Sequence, residues 1–544
     1  MESAENAEKL SGRSILGAGS ASAQGKAFRA VNPATGQEIE PVFYSATAAE
    51  IEQAAHLAEQ AFDDWSRASG KTKGALLRKI AEKIESLGDT LVNRATQETA
   101  LPLVRIKSET ARTCAQLRMF AQFVEEGSWL AARIDTADPA RTPVPKPDIR
   151  SLWRPLGPVA VFCASNFPIA FSVAGGDTAS ALAAGNPVVV KAHGAHPGTA
   201  EMVGLAIRDA VRECQAPSGL FSLLFDAGIE VGLSLVRNPA IKAVGFTGST
   251  AGGRALMDVA AARSEPIPVF AEMGSINPVF VLPGAMAERA AEIAKGLHAS
   301  VTLGAGQFCT KPGIIVTAAP APDFAGHLRD LMSAPADFTL LTSRIHDAYL
   351  SNTKSRSSGK GIGRTSSPAV RAASAGFQVS PVLFETSASS FTQESNLHGE
   401  IFGPSAMLVA SSSRDELLDV ARSLEGHLTA TIHGTEKDLR DYADLVAILE
   451  SKVGRLIFNG YPTGVEVCHA MVHGGPYPAT SDGRSTSVGT QAIYRFARPV
   501  CFQNFPNASL PDELKNENPL GIWRMIDGEQ TREPVSSKTR ATSR

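Results

Sequence analysis

Cys309 closes the run Gly304-Ala305-Gly306-Gln307-Phe308-Cys309, and a carboxylate, Glu272, lies upstream in Phe270-Ala271-Glu272-Met273-Gly274. A thiolate that a fold brings beside a general base can take an acyl group covalently and then release it to water. Asn166, in Ala164-Ser165-Asn166-Phe167-Pro168, stands just past the apolar run Pro158-Val159-Ala160-Val161-Phe162. A side-chain amide at the end of such a strand can hold an oxyanion. Each residue alone has an ordinary structural use: cysteine as a small buried hydrophobe, glutamate on a solvated face, asparagine as a cap. Together they supply nucleophile, base and oxyanion donor.

The elements that must position these groups are read from periodicity. Apolar residues recur at three-to-four spacing over 47–62, 72–86, 89–99 and 106–131, which predicts four amphipathic helices packed over a sheet. From Gly157 onward, strands rich in Val, Ile and Phe at 159–162, 188–191, 221–225 and 241–246 alternate with helices near 171–184, 199–214 and 231–236. That alternation predicts a parallel sheet covered on both faces, binding its ligand at the carboxyl ends of its strands. The run Gly248-Ser249-Thr250-Ala251-Gly252-Gly253 joins the last of these strands to a helix and aims free N–H groups at an anion such as a pyrophosphate. A second strand-helix region opens at Asn277-Pro278-Val279-Phe280-Val281-Leu282 and continues past Cys309 to about 468, so the thiol faces the first sheet across a cleft. Residues 1–24 are expected as a loose arm, 350–375 as a solvated loop and 510–544 as a peripheral tail. Gly359-Lys360-Gly361-Ile362-Gly363 imitates a dinucleotide fingerprint but follows no strand.

In this order the motifs resemble the aldehyde dehydrogenase superfamily. The likeness runs from about Phe28 to about Phe505, through Val31-Asn32-Pro33-Ala34-Thr35-Gly36, Ser165-Asn166-Phe167-Pro168, Gly245-Phe246-Thr247-Gly248-Ser249-Thr250, Glu272-Met273-Gly274, the Cys309 run and Glu400-Ile401-Phe402-Gly403-Pro404. It implies an α/β fold of the aldehyde dehydrogenase kind: a Rossmann-like cofactor domain over 25–135 and 157–275, an α/β catalytic domain over 276–470, and a β oligomerisation flap from 136–156 and 484–505. It also implies Cys309 as nucleophile, Glu272 as base and Asn166 as oxyanion donor. Cofactor contacts fall to Gly248, Ser249 and Gly253 at the pyrophosphate, Lys191 at the adenosine ribose, and Glu400 and Phe402 at the nicotinamide ribose and ring. Many NAD-preferring members carry a glutamate where this chain has Gly194; Lys191 with His193 and Gly194 would leave room and positive potential for a 2′-phosphate. NADP is therefore the expected cofactor, with NAD also accepted.

Ser165 where many members have Trp, and Met471-Val472-His473-Gly474-Gly475-Pro476-Tyr477-Pro478-Ala479-Thr480 in place of the usual Pro-Phe-Gly-Gly text, resemble the 2-oxoglutarate semialdehyde (2,5-dioxopentanoate) dehydrogenases of that superfamily. The likeness implies oxidation of that aldehyde to 2-oxoglutarate through a thiohemiacetal and a thioester. Glu272 favours hydrolysis over transfer to coenzyme A. A distal oxo acid needs a cation, and Arg112 and Arg118, on the helix around 110–123, are the candidates, with Phe167 lining the same site. Lys311, directly after Cys309-Thr310, either tunes the thiol or is merely solvated. A broad aliphatic aldehyde dehydrogenase and a non-catalytic cofactor-binding protein remain alternatives.

Composition sets the outer bounds. At 544 residues with 43% apolar and 20% charged residues, the chain can build two or three globular domains. A formal net charge of -3 without a Lys/Arg block excludes an electrostatic footprint for nucleic acid or an anionic membrane, leaving a small-molecule aldehyde as partner. The acidic start Met1 to Glu8 lacks a basic, apolar leader and no apolar run reaches spanning length, so a cytoplasmic place is expected. The six cysteines contain no Cys-x-x-Cys pair, which argues against a zinc site or a disulfide framework. Segments 148–153 and 494–502 fit strands exchanged between subunits, giving an expected homodimer or homotetramer.

Overall fold

The computed structural model describes residues 10–318, 321–359, 361–366 and 376–535. Lys360, in the glycine-lysine run, and parts of the expected arm, loop and tail lie outside the described residues.

The four helices read from periodicity are Ala48–Trp65, Gly70–Ser86, Gly88–Thr99 and Leu103–Glu126. Their starts follow from capping: Thr47 and Glu50 exchange side-chain bonds in a capping box, and the Ser69 side chain accepts from Thr72 N–H. Gly127, at φ 82°, ends the last of them in the left-handed region. Leu76, Leu77, Ile80 and Ile84 of the second helix are buried in one core with Leu117, Phe120 and Val124 of the fourth.

That core backs the first sheet. Its spatial order is Val269–Glu272, Ala243–Thr247, Val159–Phe162, Val188–Lys191 and Phe221–Leu224, all parallel. Two short antiparallel strands, Ile15–Leu16 and Gly19–Ser20, extend it. The start of the chain is therefore not a loose arm from residue 10 onward. Ile15 pairs with Leu223, and the Ser11 and Gly12 N–H groups donate to the buried Glu201 carboxylate at 2.7 and 3.0 Å. Two apolar residues in a Ser/Gly background are too few to show a period, so tertiary pairing decides the outcome here.

The second sheet runs Gly363–Ser366, Val382–Ser387, Ser405–Ala410, Ile314–Thr317, Val279–Val281, His427–His433 and Val453–Phe458, parallel except for its first strand. Residues 350–357, expected in a solvated loop, belong to the helix Ser343–Ser357, capped by Thr342. Only Tyr349 and Thr353 of that helix are buried, so it carries almost no apolar stripe for a sequence to display.

A third sheet orders Ala497–Gln503, Ile149–Pro155, Arg133–Asp135, Arg524–Ile526 and Glu529–Thr531. The last two strands correct the expectation of a peripheral tail. Leu510, Leu514 and Ile522 are buried, and Arg524 is fully enclosed because its guanidinium donates to the carbonyls of Lys515, Asn516 and Glu533. Among the described residues no helix is long and apolar enough to cross a membrane.

Candidate active site

Cys309 ends a loop that leaves the helix Pro283–Thr302 through Gly304, Ala305 and Gly306, with φ values of 56°, 59° and 67°. At Gly306 a Cβ would stand 2.3 Å from the Gly403 carbonyl oxygen, so glycine is required for approach as well as for conformation. Beneath the loop lies Asn277, fully buried. Its Nδ2 donates to the carbonyls of Cys309 and Lys311 at 2.8 and 3.0 Å, and its Oδ1 accepts from the Ser275 and Thr429 hydroxyls. Across the cleft, the segment beyond the strand Val159–Phe162 brings Asn166 to the same loop, where Nδ2 donates to the Gln307 carbonyl at 2.9 Å. An amide NH₂ carries a second N–H, which leaves a donor for another acceptor.

Glu272 ends the strand Val269–Glu272, and the segment 473–481 docks along that strand. Met273 N–H donates to Ala479 O, Ala271 N–H to Ser481 Oγ, and Thr480 Oγ1 to Gly475 O. This docking delivers a residue that sequence reasoning did not assign to the site. His473, 1% exposed, places Nε2 3.5 Å from Cys309 Sγ and 3.1 Å from Glu272 Oε2. The bond to sulfur is aligned; Glu272 sits at ion-pair distance but off the N–H axis. Burial pulls the His473 pKa down, and the opposing charges of Glu272 and Cys309 push it up to about 10, so the ring is an imidazolium at neutral pH. The only sequence signal for it was the altered text around Met471 to Thr480, which reads as a marker of substrate group rather than of chemistry.

Beside the thiol, Phe167 packs edge-on against Phe171 and Phe308, with centroids 5.1 and 5.3 Å away, and Phe171 also lies 6.1 Å from the His473 ring. The Arg105 guanidinium lies 4.6 Å from the Phe167 and Phe308 centroids and 3.2 Å from the buried Glu109. Arg112 lies 5.3 Å from the Phe171 centroid; burial lowers its pKa, against the charges of Glu109 and Cys309. Arg118 does not belong here. It is on the surface, held by both Glu85 oxygens at 2.6 Å.

The strand Ala243–Thr247 leads through Gly248 to Ser249, which caps the helix Thr250–Ala261 by accepting from Gly252 N–H at 3.2 Å. Gly253 is a packing glycine, since a Cβ there would meet Met273 Sδ at 2.6 Å. Lys191 ends its strand 3.9 Å from Asp226; burial lowers its pKa and Asp226 opposes that. His193 departs from expectation. Burial, with the neighbouring charges of His196, Lys191 and Arg344, holds it well below the usual imidazole range, so it adds no positive potential at neutral pH. His196, three residues further on, is fully buried, with Nε2 2.9 Å from Ala164 O. At Gly194 a Cβ would meet nothing nearer than Asp226 O at 3.6 Å, so space is open there. Glu400 Oε2 and Thr250 Oγ1 converge on Gly274, 2.6 and 3.2 Å from the position of a Cβ on that glycine, and Phe402 follows on the same loop. Free helix N–H groups, an open position beside Lys191 and a carboxylate against the same helix start together fit a pyridine dinucleotide.

The chain belongs to the aldehyde dehydrogenase family, whose model matches residues 20–490, and it is an NAD(P)-dependent aldehyde dehydrogenase. It is 48% identical over 525 residues to the alpha-ketoglutaric semialdehyde dehydrogenase 2 of Azospirillum brasilense, covering 96% of this chain and 99% of that one. It is 44% identical over 520 residues to the alpha-ketoglutaric semialdehyde dehydrogenase of Acinetobacter baylyi, covering 95% and 98%. Among solved structures, a betaine aldehyde dehydrogenase from Staphylococcus aureus superposes with TM-score 0.78 at 20% identity, over 92% of this chain and 97% of that one. A 1-pyrroline-5-carboxylate dehydrogenase superposes with TM-score 0.76 at 20% identity, over 90% and 92%.

Proposed function

We propose that this enzyme oxidises 2-oxoglutarate semialdehyde to 2-oxoglutarate, with NADP as the preferred acceptor. The observation that carries the reaction is the buried contact of the Cys309 sulfur with the His473 ring, which stands beside Glu272. The substrate reading rests on the two relatives that match nearly the whole chain and on a cationic, aromatic wall beside the thiol.

An aldehyde carbon gives up hydride only after a nucleophile has made it tetrahedral. Cys309 thiolate, with His473 as counter-charge, forms the C–S bond, and the oxyanion is held by the Asn166 amide and the Cys309 backbone N–H. When bound, the nicotinamide accepts the hydride that collapse of the thiohemiacetal releases. The thioester left on Cys309 is opened by water; Glu272 takes the water proton, and His473 steadies the departing thiolate. Arg112 and Arg105 face the distal carboxylate and Phe167 packs its chain. Ser249 and the N–H groups of Thr250 and Ala251 at the helix start would hold the pyrophosphate, Lys191 the adenosine ribose and its 2′-phosphate, and Glu400 with Phe402 the nicotinamide half. The charge favouring NADP comes from Lys191, and Gly194 contributes room. Subunits join through sheet edges, for which the exposed Leu456 and Phe458 on the edge strand Val453–Phe458 are suited.

A panel of 2-oxoglutarate semialdehyde, succinate semialdehyde and straight-chain aldehydes, each with NADP and NAD and followed by reduced-nicotinamide absorbance, tests the reading. The highest kcat/KM is expected for the oxo acid semialdehyde with NADP. Rates that climb with aliphatic chain length and ignore the terminal carboxylate would replace it with a broad aliphatic specificity.

A further inference from the structure

Lys311 stands two residues beyond Cys309 and is only 2% exposed. A buried ammonium is costly unless something answers its charge, and the acyl chemistry at Cys309 gives it no task. Its Nζ donates to the Ser405 carbonyl at 2.7 Å. Ser405 opens the strand Ser405–Ala410, directly after the turn 401–404 that follows Glu400. The Lys311 carbonyl shares Asn277 with the Cys309 carbonyl. One residue therefore ties the loop of the thiol to the loop of the carboxylate that meets the helix start at Gly274.

We propose that Lys311 is a positioning residue for the cofactor: its ammonium anchors the 400–405 loop through Ser405 and supplies the counter-charge that lets Glu400 stand as a carboxylate ready to accept ribose hydroxyls. This rests on the reading of Glu400 given above.

The electrostatics run the same way. Burial raises the Glu400 pKa to about 7 although Lys311 opposes it, and burial lowers the Lys311 pKa to about 8 although Glu400 opposes that. Arg356, from the helix Ser343–Ser357, donates to the Gly399 carbonyl and bears on Lys311; Thr250, Gly274 and Ser275 around the carboxylate are uncharged. The anionic form of Glu400 is thus present above about pH 7 and lost as pH falls through it. Without the Lys311 charge the same loss comes at higher pH.

The test is calorimetric titration of NADP into aldehyde-free enzyme from pH 6 to 9, comparing the wild type with Lys311→Met, Glu400→Gln and the double variant. Glu400→Gln binds weakly throughout and sets the baseline for the titration of the ligand's own 2′-phosphate, near pH 6. Above that baseline, wild-type affinity is expected to fall below about pH 7. In Lys311→Met the midpoint moves up by about one unit or more, each unit weakening binding at pH 7 about tenfold. Affinity recovers only in part by pH 9, because the Ser405 anchor is lost along with the charge, and the double variant is no weaker than Glu400→Gln alone. Lys311→Gln repeats the measurement should the methionine variant not fold. A wild-type midpoint in a Lys311 variant, with Glu400→Gln weakened, overturns the inference; a wild-type Kd for Glu400→Gln overturns instead the reading of Glu400 on which it stands.

Discussion

At Cys309 the sulfur meets the His473 ring, and the Glu272 carboxylate lies at ion-pair distance from the same Nε2, an arrangement that keeps opposite charges buried side by side. The cost of burying them is offset only while both are present. Because the His473 pKa rises from 6.5 in the unfolded chain to about 10 in the fold, its stabilisation is complete below about pH 6.5 and is lost as pH climbs through about 10. Urea denaturation of the wild type should lose stability between pH 7 and 10, and His473→Gln should lose less over that range; equal slopes would show that the imidazolium is not there. Cys309, Glu272 and Asn166 were legible because each sits in a short run with its own text. His473 was not, since it is 164 residues from Cys309 and only docking of 473–481 on the strand of Glu272 brings it in. The arginines show a different failure. Six residues separate Arg112 from Arg118, which at 3.6 per turn puts them on different faces of the helix Leu103–Glu126, whereas Arg105 is seven residues from Arg112 and shares its face. Helical period alone would have exchanged Arg118 for Arg105.

Among elements, four of the five parallel strands of the first sheet were readable as Val, Ile and Phe runs, because a sheet covered on both faces buries most of their residues, whereas the half-buried Val269–Glu272 was not read. The loop carrying the thiol obeys no period; its shape comes from three consecutive left-handed residues and from Asn277 below. Asn277→Ala would leave the buried carbonyls of Cys309 and Lys311 without their donor, at a cost of about 1–3 kcal/mol for each. The expected outcome is a lower urea midpoint together with slower labelling of Cys309 by iodoacetamide. An unchanged midpoint would mean that the loop holds itself.

At the scale of the molecule, a third sheet joins Ala497–Gln503 and Ile149–Pro155 to Arg133–Asp135 and to the last strands among the described residues, Arg524–Ile526 and Glu529–Thr531. Ile15–Leu16 and Arg524–Ile526 escaped sequence reading because each is short and set among polar residues, and what orders them is a partner strand far away in sequence. The edge strand Val453–Phe458 alternates its residues: Arg455 turns inward, close enough to the thiol for Cys309 to act on its pKa, while Leu456 and Phe458 face outward. Light scattering should give the wild type a multiple of the 57.1 kDa chain mass, and Leu456→Lys with Phe458→Lys should lower it toward one chain. A wild-type mass for the double variant would place the subunit contact elsewhere.

The central claim is that the aldehyde carbon becomes bonded to the sulfur of Cys309 and is freed by water through Glu272. Glu272→Gln, mixed rapidly with 2-oxoglutarate semialdehyde and NADP and analysed by intact-mass and peptide spectrometry, should yield about one reduced nicotinamide per active site, then stall with the acyl group on Cys309. Steady turnover at the wild-type rate, or a stalled enzyme whose Cys309 peptide carries no acyl mass, would contradict it.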